Sequence, residues 1–464
     1  MFQVADITPA QRDAILRTEE GHFHDLKAID IAPGKLTQTI SAFANAAGGE
    51  LYVGVGEKVV DYAKQRFWTG FQDPEAANGH IQAFEQVLPF GADCSGIFLR
   101  CPGENGIVLQ LLVNKTRAIC KATDGVAYVR RGAQKIPYKT DEQLARLRLD
   151  KGLTSFETET VAVDPNTVTN SETIIRFLIS VVPTAEPAVW LAKQQLLRDG
   201  KPTVAAVLLF ADEPQAILPK RSAIKLFRYK TTEQEGSRDT LAFDPITIEG
   251  SLYELIKTAV ERTIQIVQGV QVYSADGLET IRYPKETVHE IVTNAVLHRD
   301  YSHQTDIQIR VFDNRIEVES PGTLPGHVTP QNILKEQFAR NGALVRLINK
   351  FPDPPNKDVG EGLNTAFEAM RGMRLKDPEI LQLDSSVLVK IRHERLASPE
   401  EAILEYLDVN SQITNAIARS LTGIGSENKV KDVFYRLRDL GKIERVPGLR
   451  GSASAWRKSR GGSA

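Results

Sequence analysis

Three polar residues at intervals of four, Glu290, Asn294 and His298, lie in the run Tyr283-Pro284-Lys285-Glu286-Thr287-Val288-His289-Glu290-Ile291-Val292-Thr293-Asn294-Ala295-Val296-Leu297-His298-Arg299-Asp300. Apolar Val288, Ile291, Val292, Ala295 and Val296 keep a helical period in the same run. The three polar side chains therefore form one ridge along a helix face. A Glu and an Asn one turn apart can divide a phosphate-transfer task. The amide oxygen can ligate Mg²⁺ among water and phosphate oxygens, and the carboxylate can orient or deprotonate an attacking water. By itself Glu-x-x-x-Asn equally suits a plain solvated helix face, so the neighbouring elements must carry the reading.

Those elements follow in order. Residues 306–311 alternate polar and apolar, Asp313-Asn314 marks a turn, and residues 315–319 alternate again, which predicts a β-hairpin with one buried face. A loop punctuated by Pro and Gly comes next, Ser320-Pro321-Gly322-Thr323-Leu324-Pro325-Gly326. Further on, Val359-Gly360-Glu361-Gly362-Leu363-Asn364 opens a helix whose backbone N–H groups and dipole can face phosphates. His298-Arg299-Asp300 spells a kinase catalytic-loop tripeptide, but no Gly-x-Gly-x-x-Gly strand loop precedes it and no Asn follows at the required spacing. Gly54-Val55-Gly56-Glu57-Lys58 lacks the spacing of a phosphate-binding P-loop.

In that order, helix, hairpin, Gly/Pro loop and Gly-x-Gly helix, the block resembles the GHKL ATP-binding fold of DNA gyrase, MutL and sensor histidine kinases. It is more closely similar to the divergent branch found in ATP-dependent transcriptional regulators. That branch carries Glu-x-x-x-Asn-Ala-x-x-His-Arg-Asp-Tyr (290–301), a Pro-Gly-x-Leu-Pro loop (321–325), the pair Arg340-Asn341 and a late Gly-x-Gly (360–362). The resemblance implies ATP and Mg²⁺ as cofactors, with Asn294 the Mg²⁺ ligand and Glu290 the water-activating base. It also implies a nucleotide site that includes His298, Gly322, Arg340 and Asn341, and a phosphate lid formed by Gly360, Gly362 and Leu363. GHKL proteins place an Asp before the middle-loop Gly to accept the adenine amino group; this chain has Glu319 or Ser320 there, depending on the alignment.

A second group of residues opens the chain: Glu20, Asp25 and Lys27, then a helix over 36–47, the turn Gly48-Gly49 and a strand over 50–57. With Ser41-Ala42-Phe43-Ala44-Asn45-Ala46-Ala47-Gly48-Gly49 and Gly54-Val55, this region resembles the Schlafen AlbA-type domain. In eukaryotic Schlafens two such acidic residues and a third after the strand form a metal-dependent RNase site. The resemblance places Glu57 third, so that Glu20, Asp25 and Glu57 would hold Mg²⁺ or Mn²⁺, with Lys27 stabilising developing charge. The alternative is an ion-pair cluster on a binding scaffold. His22 and His24 flank the carboxylates on an expected strand.

Residues 400–407, 413–421 and 428–440 read as three short amphipathic helices, and 441–446 and 453–457 as two strands around a Gly-rich turn. That is a winged-helix pattern. Lys429, Lys431, Arg436 and Arg438 fall on its third helix, and Arg445, Arg450, Arg457 and Lys458 on its wing. From residue 399 onward there are 11 Lys/Arg and 8 Asp/Glu, a net +3 against −2 for the whole chain. A grip on DNA by the third helix and a protein-docking or dimerising role both suit it. The middle block has a run expected as a buried strand, 203–210, a basic strand-like stretch, 220–230, and a helix over 248–268.

The 464 residues, 42% of them hydrophobic and 25% charged, exclude a wholly disordered chain. No apolar run approaches the ~18–20 residues that span a bilayer, and no secretory signal is seen, so the expected location is the cytoplasm, with no membrane partner. Cys94, Cys101 and Cys120 are too few for a disulfide framework. The expected architecture is α+β and multidomain: a Schlafen AlbA-type domain (1–152), a middle α/β domain (153–280), a GHKL-type α/β sandwich (281–396) and a C-terminal winged helix (397–464). Three functions fit. The first is an ATP-controlled transcriptional or phage-defence regulator that binds DNA through the winged helix and RNA or DNA through the N-terminal domain. The second is an ATP-controlled, metal-dependent nuclease, and the third a non-catalytic ATP-sensing scaffold. A homodimer or higher assembly is expected by analogy.

Overall fold

The computed structural model describes residues 2–60, 63–274, 277–355, 362–394, 399–422, 424–447 and 454–459. Near the N-terminus, β1 (Val4–Asp6), β2 (His24–Lys27), β3 (Gly49–Val53), β4 (Cys94–Arg100) and β5 (Ile107–Val113) form a sheet in the order β1-β4-β5-β3-β2. Strands β2 and β3 are parallel, with Asp25 opposite Leu51. A parallel pair needs a crossover, and helix α1 (Pro33–Asn45) supplies it. Leu36, Ile40, Phe43 and Ala44 of α1 pack on Leu51, Val53, Phe98, Leu109 and Leu111 in the buried core. The strand expected over 50–57 is divided. At Gly54 the chain adopts φ +117°, a conformation that favours glycine, and residues Val55–Val60 leave the sheet to pair with Ala63–Trp68 in a separate hairpin. Helix α2 (Asp141–Asp150) follows, capped by Thr140, whose hydroxyl accepts a 3.2 Å bond from the Gln143 amide.

The run at 203–210 forms a helix, α3 (Val204–Phe210), with all seven residues buried and Thr203 Oγ1 accepting from the Ala206 amide at 3.2 Å. The expected strand is thereby corrected. A short run that is apolar on every side satisfies a buried helix as well as a buried strand, and the Thr203 cap favours the helix.

A six-stranded sheet dominates the rest of this unit. Its strands are β6 (Ile224–Arg228), β7 (Ile246–Ile248), β8 (Ile307–Val311), β9 (Arg315–Pro321), β10 (Glu379–Gln382) and β11 (Ser386–Arg392), in the order β7-β6-β8-β9-β11-β10. Strand β6 runs parallel to β8, with Ile224 opposite Ile307; the other pairs are antiparallel. The expected division at 280/281 does not divide this sheet, because β6 and β7 come from before it and β8 to β11 from after it. Helices α4 (Leu252–Gln268), α5 (Lys285–Leu297) and α6 (Gly362–Gly372) pack side by side. Thr287, Val288, Ile291, Val292, Val296 and Leu297 of α5 are buried, as its 3.6-residue period requires.

Residues 374–376 and 393–464 form a second unit. It contains α7 (Pro399–Val409), β12 (Ile413–Thr414), α8 (Asn415–Thr422), α9 (Glu427–Asp439), β13 (Ile443–Arg445) and β14 (Ala455–Lys458), with the strands ordered β12-β14-β13. Ile403, Ile413, Val430, Phe434 and Ile443 build its core, and the Phe434 ring stacks on Trp456 at 5.3 Å.

Candidate functional site

Glu290 and Asn294 face a cavity of about 360 Å³ between α5, α6, β9, β11 and the segment from Pro321 to Ala339. The Asn294 amide donates to Glu290 Oε1 at 2.7 Å, which leaves the Asn294 oxygen for a ligand. Burial pushes the Glu290 carboxyl above its ordinary range, and the bond from Asn294 only partly offsets it. The first turn of α6 is set against this carboxylate. A Cβ built on Gly362 would lie 2.1 Å from Glu290 Oε1, so a larger residue there would displace this carboxylate. Thr287 Oγ1 ties the two helices by donating to the Ala366 carbonyl at 2.9 Å. His298 also lines the cavity. Burial, reinforced by Arg340, lowers its pKa to about 4, so it is neutral at pH 7.

The apolar wall comes from strand alternation. Val318 and Ser320 point inward with Val387, Val389 and Ile380, and Ser320 Oγ donates to the Ala295 carbonyl at 2.7 Å. Glu319, one residue out of phase, faces the other side of the sheet. It bonds Arg310 at 2.8 Å and Ser386 Oγ at 2.7 Å, which corrects its expected place in the site. The loop after β9 turns at Gly322, with φ +103°, where a Cβ would meet the Asp300 Cβ at 2.5 Å.

Arg340 and Asn341 do not line the cavity. They brace it from behind, contrary to the direct role expected. Arg340 is buried and donates to the carbonyls of Leu149 (3.0 Å) and Thr323 and to Asp300 Oδ2 (3.4 Å). Asn341 donates to the Leu297 and Arg299 carbonyls at 2.9 and 2.7 Å. Burial pushes the Asp300 carboxyl up, but Arg340 and Arg146 overcome that and hold it below its ordinary range. Leu363 and Gly362 line the cavity, while Gly360 lies outside the described residues.

The structure also reveals a set of cations that motif reading passed over. Lys115, buried, donates from Nζ to the Leu324 and Val328 carbonyls, the latter at 3.3 Å. Lys151, also buried, donates to the Ala44 carbonyl at 3.0 Å and to Thr116, and its own carbonyl accepts from the Gly326 amide at 3.1 Å. Arg146 pairs with Asp300 at 2.6 Å. Isolated lysines in a connecting segment carry no motif, so only the three-dimensional arrangement brings them to the cavity's wall.

In the N-terminal cluster, Lys27 Nζ sits between Glu20 Oε1 (2.8 Å) and Asp25 Oδ1 (2.6 Å). Asp25 Oδ2 accepts from Thr39 at 3.1 Å and lies 3.5 Å from Arg130. Arg130 is buried, rests over the Phe43 ring at 4.9 Å, and donates to the Gly21 and His24 carbonyls at 3.0 Å each. The Glu20 carboxyl is pushed up by burial, but Lys27 brings it below its ordinary value. Glu57 is on the separate hairpin, exposed, and 3.7 Å from Arg66. Lys27 thus stands between Glu20 and Asp25, Arg130 flanks Asp25, and among the described residues no group of three or more His, Cys, Asp or Glu is placed to hold a metal. His24 opens β2, whereas His22 precedes the strand.

In the second unit most of the expected basic face is internally paired. Lys431 meets Glu427, Arg436 meets Glu400 and Arg438 meets Asp439, each at 2.7 Å, and Arg457 meets Glu444 at 2.8 Å. Lys458 pairs with Asp408. Arg445 donates to Ser454 Oγ at 2.9 Å, and Arg450 lies outside the described residues.

Two sequence families match parts of the chain. The family described as "Schlafen, AlbA_2" matches residues 20–139, and the one described as "Putative ATP-dependent DNA helicase recG C-terminal" matches residues 304–391. The chain thus carries a Schlafen AlbA_2 domain and a GHKL-like ATPase-type domain. The helix bearing Glu290, Asn294 and His298 lies before the second matched segment. Among solved structures, the DIP2311 protein from Corynebacterium diphtheriae is similar, at 17% identity over 97% of this chain and 96% of that one, with a TM-score of 0.41. The N-terminal domain of a "Putative ATP-dependent DNA Helicase RecG-related Protein" from Nitrosomonas europaea matches at 19% identity over 28% of this chain and 88% of that one, with a TM-score of 0.22. No curated protein matches. Among the described residues no helix is long and apolar enough to cross a membrane.

Proposed function

We propose that this chain is an ATP-responsive, nucleic-acid-binding regulator. One observation carries the nucleotide assignment: the Glu290–Asn294 pair and the first turn of α6 converge on one cavity. The donor set fits Mg·ATP. Amides of the first α6 turn suit phosphate oxygens, and the free Asn294 oxygen suits a hard cation. The described side chains lining the cavity include Glu290 and Glu336 but no Lys or Arg, so the triphosphate arrives with its charge offset by a divalent cation. Val318, Val387 and Val389 suit the base. Bound Mg²⁺ supplies charge neutralisation at the phosphates. Glu290 accepts the proton of the water that attacks the terminal phosphorus, as the bond to the departing diphosphate oxygen breaks. Its raised pKa makes it a stronger base than an exposed carboxylate. Ser320, on the cavity lining with its Oγ donating to the Ala295 carbonyl, can accept a hydrogen bond from the adenine amino group.

The AlbA_2 domain and the second unit, read as a winged helix, serve as the nucleic-acid contacts, and ATP gates their arrangement and the pairing of two copies. With Lys27 and Arg130 fixed among the acids, the N-terminal cluster supports binding of a phosphodiester over metal-dependent cleavage. The test uses labelled tRNA, single-stranded RNA and duplex DNA, with Mg²⁺ or Mn²⁺, with and without ATP. Intact substrate and salt-sensitive binding are expected. Asn294→Ala is expected to lose Mg·ATP affinity, and Glu290→Gln to keep affinity but lose turnover. Unchanged affinity in Asn294→Ala overturns the nucleotide assignment. Hydrolysis that survives in Glu290→Gln removes the base, and metal-dependent cleavage lost in Glu20→Ala/Asp25→Ala restores the nuclease reading.

A further inference from the structure

The segment from Gly322 to Val328 walls the cavity, with Leu324, Pro325 and Val328 on its lining. Few of its bonds come from its own sheet; Gln382 accepts from the Leu324 amide at 3.1 Å. It is pinned chiefly from elsewhere. Lys115 holds the Leu324 and Val328 carbonyls, the Lys151 carbonyl holds the Gly326 amide, and Arg340 holds the Thr323 carbonyl. Residues 115 and 151 follow the N-terminal sheet in the chain, and Lys151 also reaches Ala44 at the end of α1. The wall of the cavity is thus fastened to the N-terminal module by buried lysines.

We propose that Lys115 is a positioning residue for the nucleotide cavity, fixing the wall at Leu324 and Val328 so that nucleotide affinity depends on the N-terminal module being docked through this side chain. This inference rests on the nucleotide reading above. A buried ammonium normally finds a carboxylate, yet among the described residues none pairs with Lys115, and carbonyl oxygens accept its hydrogen bonds instead. The groups that bear on it are Lys151, Arg340 and Asp150. Burial, with Lys151 and Arg340 adding repulsion and Asp150 opposing them, lowers its pKa to about 7. The ammonium therefore becomes an amine as pH rises through neutrality. The undocked, solvated side chain keeps the ordinary, higher pKa and takes up a proton that the docked one has lost, so docking of the wall is favoured as pH rises through neutrality. Over about one pH unit above that value the linkage of one proton corresponds to roughly a tenfold change in affinity. The titratable groups on the cavity itself are His298, which changes charge near pH 4, Glu290, whose carboxyl burial raises above its ordinary range, and Glu336.

The test measures Mg·ATP affinity from pH 6 to 9 for the wild-type chain, Lys115→Met and Lys115→Arg. Wild type is expected to bind at least about tenfold more tightly at pH 9 than at pH 6. Lys115→Met is expected to be weak and flat across the range, and Lys115→Arg, which keeps its charge throughout, to be flat and no tighter than wild type at pH 6. A Lys115→Met profile that matches wild type overturns the proposal. If the Met variant fails to fold, amide exchange in wild type at residues 322–328, corrected for intrinsic rate, decides: protection is expected to rise from pH 6 to 8.5, and unchanged protection overturns the proposal. If wild type binds no Mg·ATP at any pH, the nucleotide reading fails, whereas the exchange result still judges the role of Lys115 on the wall.

Discussion

One glycine and two carboxylates matter most at the scale of single residues. Gly362→Ala would push the Glu290 carboxylate aside. Because that carboxylate is the end of a flexible side chain, little stability is expected to be lost, but Mg·ATP affinity and turnover are expected to fall strongly, read by melting and calorimetry. Glu290 must be ionised to accept a proton, and burial raises its pKa. The acid limb of ATP turnover is therefore expected above the ordinary glutamate value, with rate falling as pH falls through it. A pH–rate profile whose acid limb lies at or below that ordinary value would contradict the role. Asp300 has the opposite sign. Its folded pKa is depressed by Arg340 and Arg146 against the push of burial, so its contribution to stability is present above the unfolded value and is lost as pH falls below it. Asp300→Asn is expected to lower stability at pH 7 and to flatten the decline below about pH 4, measured by urea titration at several pH values.

At the scale of elements, caps decide what apolar pattern leaves open. Thr203→Ala removes the hydroxyl that starts α3 and is expected to cost about 1 kcal/mol, visible as a lower melting temperature. The α3 segment shows where sequence reading stops: Val204 to Phe210 present no polar face, so periodicity has nothing to measure. The α5 ridge was legible for the opposite reason. Its apolar residues recur every three or four positions and leave Glu290, Asn294 and His298 together on one side, where all three line the cavity. Alternation on β9 would also have separated Ser320 from Glu319, yet which face turned inward depended on the register with β11. Arg340 and Asn341 were visible as a pair, but their neighbours Leu149, Thr323, Leu297 and Arg299 come from distant segments that no local pattern joins.

For the whole molecule, the electrostatics of the second unit set an expectation for nucleic acid. Among its described residues Lys431, Arg436, Arg438, Arg457 and Lys458 are held in internal ion pairs, so the net +3 from residue 399 onward rests on the remaining cations. Exposed pairs of this kind are weak, worth about 0–1 kcal/mol, so phosphates can displace them, but few counterions are released in the exchange. Duplex DNA binding lost on deleting 393–464 is therefore expected to show a shallow salt slope, about −2 to −4 in log–log form, since each phosphate neutralised contributes ~0.9. A slope near −8 would require a basic surface other than this unit.

The sheet that crosses position 280 has a further consequence for inheritance. A segment defined by its match, 304–391, leaves out two strands of its sheet, because β8 keeps its parallel partner β6 some eighty residues upstream and β6 pairs with β7. Severed there, Ile307, Ile309 and Val311 would become a bare apolar edge, a template for pairing with any other extended chain. The nucleotide sheet can therefore travel between proteins only together with the two strands that precede it and the helix that carries Glu290 and Asn294.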